Sequence, residues 1–224
     1  PIKFSIDMTA PACEIKFNSN NENGFYNSPR IGEIVVYEHN FDPLKIRAEK
    51  TMDSDMLPEI KGWESHGDVH KAKLEFRNEG EFSFIISGFD NVGNAFKGVE
   101  IDKFIIDLIN PEMVVSGVMD SVAYNGDIFP EIYVTDKYLD FDSCKVSLLN
   151  ESNDKKDMVF IKEVAEDGYK IKYANIPKSR EYDGIYTLSA LISDKAGNTV
   201  TKTVKFSINR FGSTYYLRNP LFKN

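Results

Sequence analysis

The chain of 224 residues carries 27 Lys and Arg against 35 Asp and Glu. The net charge of −8 repels phosphate backbones and anionic headgroups, so neither nucleic-acid binding nor membrane contact by this stretch is expected. Two cysteines cannot build a disulfide scaffold, and no run of about 18 apolar residues offers a membrane-spanning helix.

The first signal lies at the start of the chain. "KFSID" from Lys3 recurs as "KFIID" from Lys103 and as "KFSIN" from Lys205, at intervals of 100 and 102 residues. A unit of that size closes its own core, unlike solenoid units of roughly 20–50 residues. Residues 1–7 therefore read as the remnant of a preceding repeat, 8–109 and 110–211 as two domains, and 212–224 as a tail or the start of a next segment. Any leader peptide or anchor is expected outside this stretch.

Along the first repeat, Ile34 with Val36, Leu74 with Phe76, and Phe82 with Phe84 and Ile86 recur at every second position, the period of half-buried strands. Asn23-Gly24 and Glu79-Gly80 punctuate them as turns. The second repeat continues with Asn125-Gly126, then Ile132 and Val134. "KKDMVFIKEVAED" at 155–167 has some helical character, but it occupies the place of the alternating "DVHKAKLEF" and reads as strand-rich. Asp167-Gly168 and Asp183-Gly184 bracket Tyr169, Ile171 and Tyr173; the runs Tyr186, Leu188, Ala190, Ile192 and Val204, Phe206, Ile208 follow. Roughly seven short strands per 100 residues predict an all-β chain of two antiparallel β-sandwiches, with a barrel as the alternative. "GSTYYLRNPLFKN" from Gly212 loses the alternation and is expected outside the second core.

Between the last two strands of each repeat lies Asp-x-x-Gly-Asn: Asp90, Gly93 and Asn94 in "DNVGN", and Asp194, Gly197 and Asn198 in "DKAGN". Gly accepts positive φ, and Asp and Asn bond neighbouring amides, so the cluster is expected to be a hairpin turn.

"GIYTLSALISDKAGN" at 184–198, the degenerate "GEFSFIISGFDNVGN" at 80–94, and "ID" followed by Pro at 106–111 resemble bacterial immunoglobulin-like repeats of large Gram-positive cell-surface proteins. The resemblance spans about residues 8–209. It implies tandem immunoglobulin-like sandwiches, export to the cell wall or cell surface, roles in spacing or adhesion, and no catalytic residues. The copies differ where Asn91-Val92 matches Lys195-Ala196 and where Asn110-Pro111 matches Ala10-Pro11.

No Gly-rich phosphate loop, H-E-x-x-H, C-x-x-C or G-x-S-x-G motif occurs, and neither catalysis nor a cofactor is expected. His66 and His70 are four apart, but Gly67 and the strand pattern spoil ligand geometry, leaving solvated loop or edge positions; His39 has no placeable nucleophile partner. Cys13 and Cys144 read as small buried hydrophobes. Glu33 and Glu131 occupy matched places, and that duplication favours a structural role. For a metal, the strongest candidate is calcium at the hinge, held by Asp107 and Asn110 with Asp90 or Asp194; a turn without an ion is the favoured expectation. Trp63 is expected in the core rather than as a sugar platform. The Asn150-Glu151-Ser152 sequon matters only in a eukaryotic secretory route.

The sequence thus reads as a non-catalytic surface module, a spacer or adhesion domain whose partners are neighbouring repeats and a protein or glycan ligand. The alternative is a carbohydrate-binding accessory region of a secreted glycosidase, resting on Trp63 and exposed tyrosines.

Overall fold

A computed structural model describes residues 6–51, 54–151, 160–173 and 176–212, and these form only strands, turns and three short 3-10 segments. The chain divides into two compact units, Pro1–Ile109 and Asn110–Asn224.

The first unit contains β1 (Ala12–Phe17), β2 (Phe25–Tyr26), β3 (Arg30–Tyr37), β4 (Ile46–Lys50), β5 (Glu59–His66), β6 (Val69–Phe76), β7 (Gly80–Phe89) and β8 (Ala95–Ile106). One sheet has the order β1-β3-β6-β5 and the other β2-β8-β7-β4. The second unit repeats the scheme with β9 (Glu112–Ser116), β10 (Ala123–Tyr124), β11 (Glu131–Thr135), β12 (Lys145–Asn150), β13 (Phe160–Ala165), β14 (Gly168–Tyr173), β15 (Gly184–Ser193) and β16 (Thr199–Ile208). Its sheets run β9-β11-β14-β13 and β10-β16-β15-β12. Pairing is antiparallel except where the two-residue strands β2 and β10 lie parallel to β8 and β16.

Lettered in chain order with the two-residue strand as A′, each unit has an A-B-E-D sheet and an A′-G-F-C sheet, the immunoglobulin partition. The chain is therefore two tandem immunoglobulin-like antiparallel β-sandwiches. Phe82, Phe84 and Ile86 are buried along β7, as are Tyr186, Leu188, Ala190 and Ile192 along β15, so period two places one face of each strand in its core. Matched rings stack in both units, Phe82 on Phe104 with centroids 5.3 Å apart and Tyr186 on Phe206 at 5.5 Å.

Tyr186 adds a device that the first unit lacks at Phe82. Its hydroxyl donates to the Tyr182 carbonyl at 2.7 Å, a tie across the corner leading into β15. Tyr186→Phe is expected to destabilise the second unit by about 1 kcal/mol, because the stack survives while a buried acceptor loses its donor. Denaturant unfolding checks this, and an unchanged midpoint would remove the corner from the account.

Several local expectations are refined. The strand reading of 155–167 holds for β13; residues 155–159 lie outside the described residues, as do Phe4 and 213–224. Ile6 is exposed and belongs to no strand. His66 sits on edge strand β5, but His70 is a correction: β6 is an inner strand, and its inward face carries His70 with Ala72, Leu74 and Phe76 into burial. Trp63 lies on β5, half-buried, and packs on Phe41 with centroids 4.8 Å apart.

Candidate functional site

The polar cluster that stands out in the sequence joins β7 to β8 and β15 to β16. In the first unit one carboxylate organises the whole loop. Asp90 Oδ1 accepts the amides of Val92, Gly93 and Asn94 at 2.9, 2.6 and 2.8 Å, and Oδ2 accepts Asn94 Nδ2 at 2.8 Å. The ladder closes with the Asp90 amide on the Asn94 carbonyl at 3.0 Å. Gly93 has φ of +100°, a left-handed conformation that side chains with a Cβ rarely adopt. Burial opposes ionisation of Asp90, yet the bonds from Asn94, Val92 and Gly93 outweigh it and hold the carboxyl below its ordinary range.

The second turn is built alike with fewer bonds. Asp194 Oδ1 accepts the Asn198 amide at 2.9 Å, Oδ2 accepts Asn198 Nδ2 at 2.7 Å, and Gly197 has φ of +90°. Both aspartates are buried, at 1% exposure for Asp90 and 3% for Asp194.

Around Asp90 the structure gathers two acids not singled out from the sequence. Asp7, Glu38 and Asp90 each place a carboxylate oxygen within 4.8 Å of the others. Asp7 accepts the Thr9 amide at 2.9 Å and Asn40 Nδ2 at 2.6 Å, and its carbonyl accepts Asn94 Nδ2 at 3.2 Å. Glu38 accepts the Asn40 amide at 2.7 Å. Residue 7, read as part of a remnant, is thereby tied to the first unit. A signal for both acids was present in the sequence, since Asp107 and Asp136 occupy their matched places in the second copy.

Of the other calcium candidates, Asp107 ends the first unit, with its amide on the Tyr26 carbonyl at 2.9 Å and Oδ1 accepting the Ile109 amide at 3.2 Å. Asn110 is exposed and opens the second unit. Calcium takes 6–8 oxygens. Around Asp90, protein donors hold both of its oxygens and both of Asp7's; three amides converge on Asp90 Oδ1, and the other three oxygens each keep a second lone pair. The arrangement acts as a hydrogen-bonded turn that clamps the chain entering the first unit.

The remaining reactive types have structural partners. His70 Nε2 donates to the Glu38 carbonyl at 2.7 Å, leaving Nδ1 of the neutral ring to accept the Ser65 hydroxyl at 2.8 Å, and the ring stacks on Phe41. His39 is exposed and faces Asp68 at 2.9 Å, which raises its pKa through a hydrogen bond and charge. The Cys13 thiol is pushed up to about 11, first by burial and then by Glu14, and burial also raises Cys144, so neither is poised as a thiolate. Glu33 pairs with Lys71 at 3.0 Å and Glu131 with Lys170 at 3.6 Å, duplicated cross-strand ties on the outer faces.

No known family profile matches the chain, and no curated protein resembles it significantly. Similar solved structures include domains 5–6 of the S-layer protein SbsC, 15% identical, covering 88% of this chain and 98% of that one at a TM-score of 0.25. The Yersinia pseudotuberculosis adhesin InvE is 10% identical, covering 87% of this chain and 58% of its own at 0.35. The human desmocollin-1 ectodomain is 14% identical, covering 93% and 38% at 0.31. Scores at this level add nothing to the strand order, which carries the fold assignment by itself.

Proposed function

We propose that the chain is part of an extracellular surface protein of a Gram-positive bacterium, in which the two sandwiches act without catalysis as a spacer and adhesion module. The observation that supports this most is the structural use of the duplicated polar residues. Glu33 and Glu131 tie strands in both copies, and Asp90 and Asp194 organise matched turns. An active site needs no second copy, whereas a repeated load-carrying bead needs the same turn and the same ties each time. The glycosidase-accessory alternative loses its main support, because Trp63 packs on Phe41 and the first core.

Antibodies raised against residues 8–211 are expected to label intact, unpermeabilised cells of the source organism. Labelling only after lysis would overturn the surface reading.

A further inference from the structure

The two units match position by position, and one place departs. In the second unit Ile128 is buried in the core and Gly117 follows β9. The matched positions in the first unit hold Arg30 and Phe17, and the Asn-rich loop from Phe17 to Tyr26 is two residues longer than its counterpart from Gly117 to Tyr124. Arg30 is only 7% exposed. Its guanidinium carbon lies 3.7 Å from the Phe17 ring centroid and 4.4 Å from those of Tyr26 and Phe104. Nε and Nη2 donate to the Ser19 carbonyl at 3.3 and 3.2 Å, and Nη2 also reaches Asn20 Oδ1 at 3.2 Å. Among the described residues no carboxylate pairs with it, and none accepts from Nη1. The longer loop and the aromatic cage thus hold a buried, unneutralised cation where the sister unit has a core isoleucine.

That cation borders a cleft of about 410 Å³, a size suited to a small ligand. A buried charge without a counter-charge is costly, and a carboxylate arriving at Nη1 would neutralise it through charge-assisted hydrogen bonds. Asn21, Glu22, Glu100, Asp102 and Lys103 line the same cleft. The three acids are exposed; their carboxylates accept hydrogen bonds from hydroxyls and repel ligands carrying several negative charges, while Lys103 adds a second cation beside Arg30. One carboxylate together with several hydroxyls is the chemistry of an acidic sugar.

The geometry points to a binding site on the first unit for a monocarboxylated sugar, such as a uronic acid residue of a glycan, with Arg30 holding the carboxylate. It rests on the non-catalytic reading above, because an adhesive contact requires binding without turnover.

The test is an amide NMR titration of the whole chain with glucuronate, glucose and acetate. Glucuronate is expected to shift amides of residues 20–24 and 100–104 with a Kd in the low millimolar range, roughly 1–10 mM. Glucose, which lacks the carboxylate, and acetate, which lacks the hydroxyls, should each bind at least about tenfold more weakly. Arg30→Ile copies the sister unit's residue and is expected to fold and lose the response. If it unfolds, Arg30→Lys serves instead, with at least about tenfold weakening because the planar fork is gone. No shift with glucuronate, an equal response to glucose or acetate, or a response that survives loss of the guanidinium would overturn the site. Hydrolysis of a glucuronide would instead overturn the non-catalytic reading and leave the binding site standing.

Discussion

Phe84→Ala is expected to destabilise the first unit by about 3–5 kcal/mol, the range for emptying a fully buried aromatic position. Phe84 is 0% exposed, and its ring lies 5.6 Å from that of Phe76, which in turn packs edge-on against Phe82 and Phe104 at 5.0 and 5.1 Å. Truncation removes one wall of an aromatic cluster whose other rings belong to three different strands, so the cavity cannot close by moving one side chain. The matched change, Leu188→Ala, takes an aliphatic residue from the second core and is expected to cost about 2–5 kcal/mol there. Hydrogen exchange resolves the two effects: Phe84→Ala should lower protection along β7 and β8, and Leu188→Ala along β15 and β16. A change in Phe84→Ala of under about 1 kcal/mol, the scale of a surface substitution, would refute the core assignment.

The residues whose burial decides these effects were legible before any coordinates. Period-two alternation put Phe82, Phe84 and Ile86 on one face and Tyr186, Leu188, Ala190 and Ile192 on another, because a half-buried strand must alternate. The hairpin role of Asp-x-x-Gly-Asn was legible too, since Gly at positive φ and an Asp able to accept local amides are local requirements. What lay beyond reach was long-range. Alternation could not announce that His70 would close the inner face of β6, nor that Asp7, 83 residues before Asp90, would share its hydrogen-bonded cluster. Arg30 escaped notice for the opposite reason. It stands beside Pro29 in an ordinary turn sequence, and only comparison with Ile128 in a shared strand register exposes it as a charge in a core position.

The turns yield the second large effect, and they separate a structural role from an ionic one. Asp90→Ala is expected to lower the melting temperature of the first unit by roughly 10 °C, because three buried amides and the Asn94 side chain lose their acceptor together. Asp194→Ala removes one amide bond and one side-chain bond and is expected to cost about 1 kcal/mol, a shift of roughly 4–8 °C in a domain of this size. The pH dependence has a fixed sign. The folded-state pKa of Asp90 is depressed below its ordinary 3.8, so its contribution is complete above that value and is lost as pH falls through the lower, folded value. Asp90→Asn keeps an oxygen for the three amides but abolishes this acid-side loss, and it should therefore melt between the wild type and Asp90→Ala at neutral pH. Calcium is the discriminating addition. A turn satisfied by its own amides gains nothing from the ion, so calcium at about a hundredfold over a plausible Kd should leave the wild-type transition unmoved, where a bound ion would add about 2.7 kcal/mol. A calcium-dependent rise that disappears in Asp90→Ala and in Asp7→Ala would convert the acid cluster from a clamp on the entering chain into a metal site, because only an ion requires both carboxylates to act through one charge.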